Sequence, residues 1–151
     1  MDTRKFWKNF CTENTEFDEG AEFQVWYFGN SSAMAEQLVE LVLQGKKTAT
    51  ASLQNVNIVM PQNAPILNGL SVVTTFEDEP RCIIRTAEVN LVPFNEVSAS
   101  FAFNEGEGDQ SLEYWQQVHH KYFTKESKEL GVEFNERSLV CCERFEVLYP
   151  K

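Results

Sequence analysis

Met34, Leu38, Leu41 and Val42 recur at i, i+4, i+7 and i+8, the spacing that lines apolar side chains along one face of a helix. Asn30-Ser31-Ser32 supplies N-cap chemistry before this stripe and Gly45 stands at its C′ position, so a helix is predicted over 32–44. Leu112, Trp115, Val118, Tyr122 and Phe123 form a second stripe followed by Gly131, which predicts a helix over 111–130. Phe6, Trp7 and Phe10 predict a short amphipathic helix over 1–14, and 95–103 reads as another short helix. The β-prone runs 21–28, 48–53, 71–76, 82–92 and 138–149 predict strands, with Glu77-Asp78-Glu79-Pro80 as the turn of a hairpin and Pro93 as a strand end. Residues 55–69 hold Pro61, Pro65, Gly69 and several Asn and read as a long surface loop. Strands and helices do not alternate strictly, which disfavours a doubly wound parallel sheet. The order predicts an α+β fold, with a small sheet of mixed or antiparallel strands curled toward a barrel and helices around it.

The chain has 151 residues, the size of one domain, and 42% of them are apolar, enough for one sizeable core. The expected organisation is a single domain over 1–151, with 1–20 as an N-terminal helical extension. No apolar run approaches the roughly 18–20 residues that cross a bilayer, and the opening residues lack the apolar stretch of a secretory signal. A cytoplasmic location and no membrane partner are the expectations. The net charge of −10 argues against broad nonspecific binding to DNA or long RNA, which relies on neutralising phosphates, while leaving room for a nucleoside in a small pocket. Cys11, Cys82, Cys141 and Cys142 form no C-x-x-C pair and are expected to be free thiols serving as small apolar residues.

Two segments offer chemistry. In Gly45–Ser52, Lys46 and Lys47 follow a helix, where a basic pair is most often a solvated partner of the macrodipole. On a flat strand Lys47 and Thr50 would face opposite sides, so a shared site requires a bend within 46–49. In Glu105-Gly106-Glu107-Gly108-Asp109 three readings stay open. The segment is an acidic loop before the next helix, a divalent-cation site with Glu107 and Asp109 as candidate ligands, or the setting for one positioned carboxylate, Glu105. His119 lies on the helical stripe, where a packed, hydrogen-bonded ring is the commoner role than a catalytic one. Trp26, Tyr27 and Phe28 could stack a base, although aromatic residues are more often core.

The run Phe28-Gly29-Asn30-Ser31, the stretch Glu40 to Thr50, the block Glu105 to Leu112, Trp115 with His119, and Val140-Cys141-Cys142-Glu143-Arg144-Phe145 occur in order. Together they resemble the ASCH domain family from about residue 26 to the C-terminus, most closely its longer bacterial members. The resemblance implies a PUA-like β-barrel and a link to RNA metabolism. Some members of the family act as ribonucleases with a divalent metal, Mg or Mn, and some short members remove the acetyl group from N4-acetylcytidine. The latter use a Lys, a Thr three residues later and a distant Glu, which match Lys47, Thr50 and Glu105. Lys46, Ser52, Trp26, Trp115 and His119 are then the candidate substrate contacts. Asn30 stands where many relatives have Asp, Leu70 where Gly-Asp usually leads into the next strand, and Ser52 where short members carry Arg.

Three functions fit these residues. In amide hydrolysis, Thr50 attacks an acyl carbonyl with Lys47 as base, although a nearby Glu105 favours charged lysine and so an orienting role. In RNA cleavage, Lys47 stabilises phosphoryl charge and Glu105 acts as base, with or without a metal on Glu107 or Asp109. In the third, the pocket only binds RNA or a modified nucleoside. A hydrolase acting on RNA or RNA-derived nucleosides is the leading expectation.

Overall fold

The computed structural model describes residues 1–151. Helix α1 (Thr3–Glu13) is capped by Asp2, whose carboxylate accepts the Lys5 N–H. Helix α2 (Ser32–Leu43) is capped by the Ser31 hydroxyl, which accepts the Met34 N–H, and it buries Leu38, Val39 and Val42. Both helices start and stop within about two residues of the sequence pattern. So does α5 (Leu112–Leu130), capped by Ser111 and closed by Gly131 in the left-handed region.

Five strands make one sheet in the order β1-β3-β4-β5-β2. They are β1 (Gln24–Trp26), β2 (Ala49–Leu53), β3 (Leu70–Thr74), β4 (Pro80–Pro93) and β5 (Leu139–Tyr149). The pair β1–β3 is parallel and the other three pairs are antiparallel. Register shifts between Ile83 and Ile84 and between Thr86 and Glu88 give the long β4–β5 ribbon the extra twist that bulges impose. The sheet therefore curls into a half-barrel whose edge strands, β1 and β2, face each other without pairing. That unclosed side is where the candidate site sits.

Three apolar clusters hold the fold. Phe94, Phe101, Trp115 and Phe123 pack with β2 and β5 residues, Phe28, Val39, Val42 and Ile84 fill the curl under α2, and Trp7 and Phe10 of α1 pack on Val72 and Ile83. No helix is long and apolar enough to cross a membrane.

The structure differs from the sequence reading in three places. The loop expected over 55–69 contains helix α3 (Gln54–Val59) and a 3-10 turn over Pro61–Asn63. No side chain caps α3; Val56 anchors it by joining the first cluster, a tertiary cause that local propensity does not reveal. The strand expected over 21–28 is paired only at 24–26. The helix expected over 95–103 is α4 (Ala99–Glu105), because the Ser98 hydroxyl caps it by accepting the Phe101 N–H. That shift places Glu105 at the last turn of a helix rather than in a loop. The predicted hairpin is present as β3–β4.

Candidate active site

The chain leaves α2 at Gly45, and the Leu41 carbonyl accepts both the Lys46 and Lys47 N–H groups at 3.0 and 3.1 Å. Thr48 N–H then donates to Asn104 O at 2.8 Å, fastening this turn to the end of α4. The bend expected within 46–49 is therefore present, and it turns the Lys47 side chain inward until only 1% of the residue is exposed. Gly106 permits this approach. At φ +72°, any Cβ there would sit 2.4 Å from Lys46 O.

Lys47 Nζ donates to Ala49 O at 2.8 Å, Glu105 Oε1 at 2.8 Å and Glu107 Oε2 at 3.0 Å. An ammonium has three N–H donors, so these partners occupy all of them. Glu105, also 1% exposed, is the hub. Its Oε2 accepts Trp115 Nε1–H at 2.5 Å and faces His119 Nε2 at 3.2 Å. His119 Nδ1 lies 2.9 Å from Trp115 O, and its ring stacks on Trp115 at 4.2 Å. Both ring nitrogens thus face acceptors, which suits a doubly protonated imidazolium.

Burial alone would pull the Lys47 pKa down, but Glu105 and Glu107 outweigh it and hold the ammonium above the ordinary lysine range. Burial pushes the Glu105 carboxyl up, and Lys47 and His119 override it, keeping Glu105 well below the usual carboxylate range. His119 is raised because Glu105 overcomes its desolvation. Burial, with the Glu105 charge, leaves Glu107 raised despite Lys47. The four groups form a tight cluster of two cations and two acids.

This cluster forms one wall of a cavity of about 190 Å³ that Thr50, Phe28, Tyr114 and Tyr122 also line. Lys47, Thr50 and Glu105 therefore share one hollow. Phe28, Gly29, Thr50, Ala51 and Tyr122 continue into an outer groove of about 480 Å³ between β1 and β2, whose walls include Trp26 and Ser52. Ser52 Oγ accepts Asn57 Nδ2–H there at 2.9 Å.

The remaining sequence candidates separate. His119 lines the inner cavity. Trp115 lines neither hollow; it is buried between Phe94 and Phe101 and holds Glu105 instead. Lys46 is exposed and outside both hollows. Asp109 is spent on the turn before α5, accepting the Ser111 N–H at 2.9 Å. Glu143 is a further site residue, one to which the closing run Val140–Phe145 assigns no role. It lies directly across the β2–β5 ladder from Thr50 and lines the outer groove; apart from its place in that run, its sequence signal is an acid inside an apolar closing strand.

Glu105, Glu107 and His119 bring one ligand atom each within 4.8 Å of one another. A divalent ion does not fit among them, because the Lys47 ammonium already bridges both carboxylates and Glu105 Oε2 is engaged by Trp115 and His119. A second cation would meet like charge at hydrogen-bond range.

The family model for the ASCH domain matches residues 24–149. An ASCH domain from Lactobacillus crispatus JV V101 superposes with a TM-score of 0.84 at 33% identity, covering 99% of this chain and 97% of that one. Protein EF3133 from Enterococcus faecalis V583 gives 0.83 at 35% identity, covering 94% and 85%. Hypothetical protein PH0355, at 17% identity and a TM-score of 0.54 over 82% of this chain and 99% of that one, shares the fold alone. No curated protein matches the chain.

Proposed function

The chain belongs to the ASCH domain family, a family associated with RNA binding, and from that membership we propose that it hydrolyses an acyl group from an RNA-derived, modified nucleoside. The observation that carries this reading is the placement of Thr50 on the same small cavity as a fully buried Lys47–Glu105 pair. Thr50 Oγ1 adds to the acyl carbonyl carbon, the C–N bond breaks as the amine takes up a proton, and water then cleaves the Thr50 ester. Lys47 serves as a fixed positive charge beside the developing oxyanion. It is not the base, because its proton is held by two carboxylates and a carbonyl. Glu107 is the better proton acceptor: it lines the cavity, its Oε1 accepts no hydrogen bond, and its pKa is raised.

Mass spectrometry of N4-acetylcytidine incubated with the full chain tests this. Cytidine and acetate are expected, and Thr50→Val should slow their release by at least about a hundredfold. A Thr50→Val rate equal to wild type would end the hydrolase reading.

One observation favours a binding-only module: every donor of Lys47 is already satisfied within the protein, as in a structural network. Saturable cytidine or short-RNA binding without product would establish that alternative. Cleavage of an RNA strand draws less support. Arg81, Arg85 and Arg144 are paired with glutamates, and no Lys or Arg lines the outer groove.

A further inference from the structure

The outer groove has an unusual charge content for a site in an RNA-associated family. Its titratable acids are Asp78, Glu126 and Glu143, and no cationic side chain lines it. Glu143 is only 7% exposed, yet it has no ion-pair partner. Thr86 Oγ1–H donates to its Oε2 at 2.7 Å, and its Oε1 accepts nothing. Burying a carboxylate without a counter-charge is costly, and burial indeed pushes Glu143 and Glu126 above the ordinary carboxylate range. The nearest buried ammonium, Lys47, is committed to Glu105 and Glu107. Trp26, Tyr27 and Tyr122 add aromatic surface to the same walls, and aromatic faces attract cations.

We propose that this groove is a binding subsite for an organic cation, an ammonium, guanidinium or amidinium group, anchored on the free oxygen of Glu143 and flanked by the aromatic rings of Trp26 and Tyr122. A phosphate-bearing ligand is disfavoured there, since three acids and no base would face it. The subsite stands whether or not Thr50 turns over a substrate. If it does, a substrate that also bears a cationic group can extend it from the inner cavity into this subsite, since Thr50 and Tyr122 line both hollows.

Benzamidine and benzamide have nearly the same shape and differ in charge, so they isolate the claim. In a ¹⁵N-labelled sample of the full chain, benzamidine is expected to shift the amides of residues 26–29, 50–52 and 143, with benzamide at least about tenfold weaker. Glu143→Gln retains an acceptor for Thr86 and should weaken benzamidine by about tenfold, with Tm recorded to confirm an intact fold. Glu126→Gln is the second variant and should weaken it less. Equal binding of benzamide, no binding of benzamidine, shifts confined to the 77–79 turn, or an unchanged affinity in a folded Glu143→Gln protein would each overturn the proposal. None of these readouts involves acetylcytidine turnover, so the subsite and the hydrolase reading fail separately.

Discussion

Lys47→Met is expected to destabilise the protein by about 3–5 kcal/mol at neutral pH, the usual cost of removing one partner from a buried ion pair. At about 2–4 °C per kcal/mol for a chain of this size, Tm should fall by roughly 6–20 °C. Methionine fills the space of the lysine stem, so the loss reports charge rather than volume. It leaves the buried Glu105 and the half-buried Glu107 beside each other with only His119 as counter-charge. The pH dependence distinguishes this cause from a packing defect. In the wild type the Glu105 pKa is depressed, so its contribution is complete above the unfolded carboxylate value of about 4.3 and is lost as pH falls through the lower folded value. The raised Lys47 contributes below the unfolded lysine value of about 10.4 and loses that contribution as pH rises through its folded pKa. Without Lys47 the sign for Glu105 reverses, and the upward shift already present at Glu107 grows. Burial and mutual repulsion raise their folded pKa values, so the folded variant binds protons more readily than its unfolded chain and gains stability on acidification. Urea unfolding at pH 7.5 and 5.5 should show the gap between variant and wild type narrowing at the lower pH. A gap that stays constant would mean that the ammonium is not what neutralises this cluster.

Gly106→Ala should be the second severe change, at about 3 kcal/mol from the left-handed backbone together with overpacking. The added Cβ would meet Lys46 O at 2.4 Å and the Lys46 carbonyl carbon at 2.8 Å, and backbone cannot step aside as a side-chain tip can. Gly45 supplies the control. It has nearly the same φ, +77°, but a methyl group there would find nothing within 4 Å, so Gly45→Ala should cost only about 1 kcal/mol. Chemical denaturation of the two variants separates local strain from the crossing of the α2–β2 turn over the end of α4. Equal losses would show that this crossing contributes nothing.

Much of this arrangement is legible in the sequence, and the parts that are not have a common cause. The stripes of α2 and α5, their caps and the β3–β4 hairpin are written in local periodicity. The meeting of Lys47, Thr50 and Glu105 is legible through family resemblance, and the need for a bend at 46–49 follows from strand geometry. What depends on register or packing is hidden. Glu143 becomes interesting only when the β2–β5 pairing sets it across from Thr50. Trp115 is the clamp on Glu105 rather than a surface for substrate, because its indole N–H points inward. Lys46 and Lys47 are neighbours of the same type, yet one is exposed and the other sealed, a difference decided by Leu41 O and Asn104 O. Helix α3 forms where Asn and Pro suggest irregular chain, since Val56 gains a buried seat there.

The four cysteines are all free and all buried, with the thiols of Cys82 and Cys142 pushed up to about 12 and that of Cys141 to about 11, chiefly by desolvation. Alkylating reagents attack the thiolate, so the native chain is shielded twice, by access and by protonation. Because Cys11 lies on the inner face of the N-terminal helix while Cys82, Cys141 and Cys142 sit in the central strands, the order in which iodoacetamide marks them would serve as an internal clock of which layer of the molecule breathes first.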